Sequence, residues 1–99
     1  MAKVHNTVSQ AYTVSSTAVS LQTIGFSAAQ VAGGLTLTVT GDTVIRYLVD
    51  QTPTATFGHI IPAGETVEFI RGDFADMEFI RGSGTDSVAT FTLETRVDV

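Results

Sequence analysis

The 99-residue chain has no cysteine, no tryptophan and two prolines, and it carries only five lysines and arginines. Without cysteine, neither a disulfide nor a thiolate-bound metal can supplement a small hydrophobic core. Charge is scarce as well: Asp, Glu, Lys and Arg make up 15% of the residues, against about 25% in an ordinary soluble domain. Hydrophobic residues nevertheless reach 43%, which excludes a disordered acidic tail. The net charge of −5 argues against nucleic acid as a partner, because phosphate binding needs cations to displace counterions. No apolar run approaches the roughly 20 residues of a helical membrane span. The opening stretch MAKVHNTVSQAYTV lacks the apolar core of a secretory signal. Neither a membrane nor an export path is expected. A chain without cysteine suits a reducing cytosol, and equally a particle assembled inside a cell and released whole.

The charges that exist are unevenly placed. From Met1 to Gly41 the one formally charged side chain is Lys3, and Asp42, Arg46 and Asp50 follow. The last third holds Glu65, Glu68, Asp73, Asp76, Glu78, Asp86, Glu94 and Asp98 against Arg71, Arg81 and Arg96, which supplies the whole net charge. A free monomer relies on surface charge for solubility, and interface cores are depleted in it. The uncharged segment is therefore expected to pack against sister copies or a host surface. The plainer alternative is a surface kept soluble by serine and threonine hydroxyls.

Leu35-Thr36-Leu37-Thr38-Val39-Thr40 alternates apolar and hydroxyl residues with period two, the mark of a half-buried strand. Ala89, Phe91 and Leu93 repeat the pattern, as do Val67 and Phe69. The run from Thr43 to Val49 is apolar on both parities apart from Arg46, so its outer face is either covered or turned to a partner. Turn residues punctuate these runs at Gly41-Asp42, Asp50 to Pro53, Pro62-Ala63-Gly64, Arg71-Gly72-Asp73 and Gly82-Ser83-Gly84. Short strands so spaced predict an all-β fold, a single antiparallel β-sandwich of Ig-like or jelly-roll-like form. One short helix near 27–32 interrupts it. Ser27 and Gln30 form a capping box, Phe26 and Val31 a hydrophobic staple, and Gly33-Gly34 a left-handed stop. Residues 1–10 carry Val4 and Val8 without clear periodicity and read as an arm that orders against a neighbour, ahead of a single domain over 11–99.

Glu68-Phe-Ile-Arg-Gly72 recurs as Glu78-Phe-Ile-Arg-Gly82. The spacing predicts a hairpin, with strands near 65–71 and 77–81 and Phe69 and Phe79 facing one core. Arg71-Gly72-Asp73 spells an adhesion tripeptide and is equally an ordinary turn. Reaction chemistry is not indicated. His5 and His59 have no partners at metal-ligand spacing, and no nucleophile elbow or phosphate-cradling loop occurs. Asp73, Asp76 and Glu78 read as a solvated rim, since a Ca²⁺ site needs 6–8 oxygens. No enzyme activity, metal or cofactor is expected.

The segment Leu35 to Ile70, followed by Phe79-Ile-Arg and Gly84-Thr-Asp86, resembles a family of small proteins of tailed bacteriophages. The resemblance covers roughly residues 18–95. It rests on Ile45-Arg46-Tyr47, Asp50, Pro53-Thr54-Ala55-Thr56, Gly58, Ala63-Gly64-Glu65 and the closing strand after Asp86. The family's turn resembles Asp-Gly-Thr-x-Pro-Thr, whereas this chain runs Asp50-Gln51-Thr52-Pro53-Thr54, one residue shorter and without the glycine. A second similarity, to Ig-like modules appended to sugar-degrading enzymes, also implies a sandwich. The phage resemblance implies a β-rich virion component, first a capsid decoration (cement) protein. Its partners would be the major capsid protein, other virion proteins and copies of itself, and its location the virion. A tail, neck or baseplate subunit is the alternative, and a displayed glycan- or receptor-binding module is the alternative of another class. Candidate interface residues are Val4, Val8, Tyr12, Arg46, Phe57 and His59.

Overall fold

Alternating apolar and hydroxyl side chains become strands because one parity can be buried while the other stays wet. The computed structural model describes the backbone of residues 3–70 and 74–98, and the side chains of 7–70 and 74–95. In chain order the elements are β1 (Lys3–Val14), β2 (Val19–Ser20), α1 (Leu21–Ile24), α2 (Ala28–Ala32), β3 (Gly34–Gly41) and β4 (Ile45–Val49). They continue with β5 (His59–Ile61), β6 (Thr66–Ile70), a 3-10 turn (Phe74–Asp76), β7 (Met77–Arg81) and β8 (Ser87–Asp98). Two four-stranded sheets result, ordered β1-β8-β3-β6 and β2-β7-β4-β5. Every pair is antiparallel.

The order has a simple logic. β1 pairs with β8, β2 with β7, β3 with β6 and β4 with β5, so the chain folds back on itself and the doubled ribbon wraps into two layers. That is the double-sheet jelly roll. The Ig-like order, with strands A, B, E and D in one sheet and C, F and G in the other, is not followed.

Registers line up the inner-face residues in rows, the second of which ends at exposed His59. Val8, Leu93, Leu37 and Phe69 run across one sheet, facing Val19, Phe79, Tyr47 and His59 across the other. Phe79 and Phe91, both fully buried, meet between the sheets at a centroid distance of 5.1 Å in a T-shaped arrangement. Tyr47 packs edge-on against Phe69 at 4.8 Å. Such pairs contribute about 0.5–1.5 kcal/mol beyond their buried area.

The helices close one end of the sandwich. The expected capping box is present: Gln30 N–H donates to Ser27 Oγ at 3.1 Å, and Ser27 N–H donates to Gln30 Oε1 at 2.9 Å. Phe26 and Val31 are buried as the staple requires. Two details differ. A second short helix, α1, precedes it, capped by Ser20 and burying Leu21 and Ile24. Gly33 is not left-handed, with φ −92°. Gly34 is instead required by proximity, since a Cβ there would lie 2.8 Å from Phe74 and 2.9 Å from Leu93.

The repeated Glu-Phe-Ile-Arg segments do not form a hairpin. β6 pairs with β3 and β7 with β4 and β2, so the two copies lie in opposite sheets. The 3-10 turn, anchored by buried Phe74, carries the chain across. Phe69 and Phe79 still face one core, from its two sides. Arg81 pairs with Asp86; Arg71 lies outside the described residues. No division falls after residue 10 either: from Lys3 to Val14 the expected arm is one strand in unbroken register with β8.

Phe79→Ala is expected to cost about 3–5 kcal/mol, as truncation of a fully buried aromatic does. Val88→Ala, at a side chain 59% exposed, is expected to cost under about 1 kcal/mol. Urea unfolding of both variants checks the assignment.

Candidate docking surface

The long loop between β4 and β5 is shaped at its start by Asp50. Its φ of 64° places it in the left-handed region, which aspartate tolerates better than most residues. Its N–H donates to the Asp76 carbonyl at 2.9 Å, tying the loop to the 3-10 turn. Asp50 thus makes the turn itself, with no glycine after it. Pro53 is fully buried. Thr54 and Phe57 close a tight turn by exchanging backbone hydrogen bonds of 2.9 and 3.2 Å.

Arg46 braces this loop from below. Its Nε donates to the Ala55 carbonyl at 3.0 Å, and its Nη1 donates to the Gly58 carbonyl at 3.0 Å. The planar fork of a guanidinium suits two acceptors at once. Gly58, with φ 143°, brings its backbone close enough for this, since a Cβ there would lie 3.1 Å from the Tyr47 carbonyl. The structure therefore uses Arg46 on loop carbonyls, not on Asp42 or Asp50.

The braced loop and the strand that follows it display apolar surface. Phe57 is 58% exposed and Ile60, opposite Arg46 in register, is 52% exposed. A shallow cavity of about 400 Å³ beside Phe57 is lined by Arg46, Leu48, Gln51, Thr56, Phe57, Gly58 and His59. Exposed apolar groups gathered in one place mark interaction surfaces, whereas scattered ones do not. Three of the six candidate residues, Arg46, Phe57 and His59, come together here. Leu48 joins them unforeseen, although the double-parity apolar run through β4 was its signal, and Ile60 stands opposite Arg46 on β5.

The other candidates lie elsewhere. Val8 and Tyr12 sit on the inner face of β1, half-buried against the core, so their side chains are already occupied. β1 borders the side of the sandwich opposite β5 and β6. The side chain of Val4 and the tripeptide Arg71-Gly72-Asp73 lie outside the described residues. A second groove, of about 570 Å³, opens between β4, β5 and β6 beside Tyr47, His59, Glu68, Phe69 and Ile70. Its central ring, Tyr47, contacts His59, Phe69 and Phe79 at 4.8–6.3 Å. Among the described residues, no three His, Cys, Asp or Glu side chains gather as a metal site. None of the described helices is long and apolar enough to cross a membrane.

These features define the chain as an all-β jelly-roll domain with a braced apolar patch on its second sheet. No family model matches the chain, and no curated protein or solved structure matches it.

Arg46→Ala is expected to speed amide exchange at Thr54 and Phe57 and to cost about 1–2 kcal/mol, the range for losing charge-assisted hydrogen bonds at a half-exposed site. Arg46→Lys restores only part, because an ammonium cannot span both carbonyls in one plane. Exchange measured by mass spectrometry, with urea unfolding, checks both.

Proposed function

We propose that the chain is a structural protein of a tailed-phage particle, a decoration protein that docks on the capsid shell. The observation that carries this reading is exposed Phe57 on a loop braced by Arg46, with Leu48 of β4 in the cavity beside it and exposed Ile60 of β5 opposite Arg46 in register. A rigid aromatic anchor next to an arginine is the composition of a binding hot spot, and pre-bracing the loop lowers the ordering cost of association. The sandwich contributes by analogy, since jelly rolls serve in viral capsids but also in lectins. Scarce charge and resemblance to small phage proteins point the same way.

Docking stabilises by mass action. A protein that binds only the assembled lattice shifts its disassembly by RT ln(1 + [L]/Kd), about 2.7 kcal/mol at one hundred times Kd. A glycan-binding role would rest on the groove beside Tyr47. That ring is packed against Phe69 and Phe79 and is poorly placed to stack on a sugar.

Particles lacking the chain are expected to lose heat resistance and regain it when purified protein is added back. Phe57→Ser with Ile60→Ser is expected to leave the circular dichroism unchanged and to weaken particle binding at least about a hundredfold, as removal of paired hot-spot anchors does. Full occupancy by that double variant would refute the patch as the docking surface.

A further inference from the structure

Sheet edges expose unpaired N–H and C=O groups, and natural proteins shield them with short strands, charge, proline or bulges. Three of the four edges here follow that rule. β2 spans two residues, β5 three, and β6 five with Glu68 among them. β1 does not. It runs twelve residues, KVHNTVSQAYTV, with no proline, no glycine and no formal charge beyond Lys3. Its register with β8 has no shift from Lys3↔Asp98 to Val14↔Ser87, whereas the β3–β8 pairing is interrupted between Gly34 and Thr36. Among the described residues no strand lies on its outer side.

We infer that β1 is a self-association edge, and that two copies join by antiparallel β1–β1 pairing about a two-fold axis at Val8. An antiparallel pair related by such an axis keeps both inner faces on one side, so residues i and 16 − i stand opposite one another. The sequence is self-complementary in this register. Val8 meets Val8 of the second copy, Val4 meets Tyr12, Asn6 meets Gln10, Thr7 meets Ser9 and Lys3 meets Thr13. On the even positions apolar residues face apolar ones and amide faces amide; on the odd positions Thr7 faces Ser9, His5 stands opposite Ala11, and no formal charge meets another. Pairing over residues 3–13 supplies about ten ladder hydrogen bonds, the number in a standard protein interface. The two β1-β8-β3-β6 sheets become one continuous eight-stranded sheet. An isologous two-fold contact of this kind closes at the dimer. The inference concerns the free chain and does not depend on the virion reading, because β1 and the Phe57 patch lie on opposite sides of the sandwich.

The register supplies its own test. Thr7 and Ser9 are exposed, so both accept substitution without disturbing the core. Sedimentation equilibrium of the whole chain from micromolar to millimolar concentration is expected to give twice the 10.4 kDa chain mass. T7K/S9K sets lysine against lysine at both positions beside the axis and is expected to sediment at single-chain mass with unchanged circular dichroism. T7K/S9E sets lysine against glutamate and is expected to remain dimeric. A monomeric native chain, a dimeric T7K/S9K variant or dissociation of both variants would overturn the pairing.

Discussion

The contact between Phe79 and Phe91 holds the two layers of this protein together. One ring belongs to β7, inside the second sheet, and the other to β8, inside the first. Both are fully buried, and the rows of Leu37, Leu93 and Val39 on one side and Ile45 and Ile61 on the other close around them. A chain of this length buries a modest share of its surface and has no covalent staple. Its stability therefore rests on this single apolar layer. The helices, the 3-10 turn and the polar contacts of Ser87 with Thr43 close the two ends of that layer.

Outside the core, a cation is used to shape surface. Arg46 could have met a carboxylate, since Asp42 and Asp50 are near in sequence, but its guanidinium takes two loop carbonyls instead. The loop so braced keeps Phe57 in water, and Ile60, opposite Arg46 on β5, is exposed as well, an arrangement that costs solubility unless something covers them. On the opposite side, β1 keeps an unguarded edge. The proposed docking to a particle and the inferred pairing of copies thus use separate surfaces, and one subunit can serve both contacts at once.

Much of this fold was legible in the chain. Period-two alternation located β3, β6 and β8, and the reciprocal Ser27–Gln30 cap located α2. What escaped has physical causes. α1 has a hydroxyl, Thr23, at the position where a capping box carries Glu or Gln, so its start leaves no box signature. β1 was obscured by Gln10, a polar residue on the inner parity that lies alongside Gly25. The two Glu-Phe-Ile-Arg segments suggested a hairpin because local pairing is the default, whereas a jelly roll pairs strands distant in sequence. Arg46 was visible as a lone cation in an apolar run, but its acceptors are backbone carbonyls, which no side chain announces. Of the candidate surface, Phe57 and His59 were found and Ile60 was not, because period two alone does not reveal which face of a sheet lacks a cover.

The central claim is that this jelly roll is a shell-docking subunit, and cryo-electron microscopy of the intact particle tests it most directly. The account predicts copies at regular positions over the outer shell, with Phe57 and Ile60 buried against it. Copies confined to the neck or tail, or shell-bound copies with those side chains facing solvent, would contradict it.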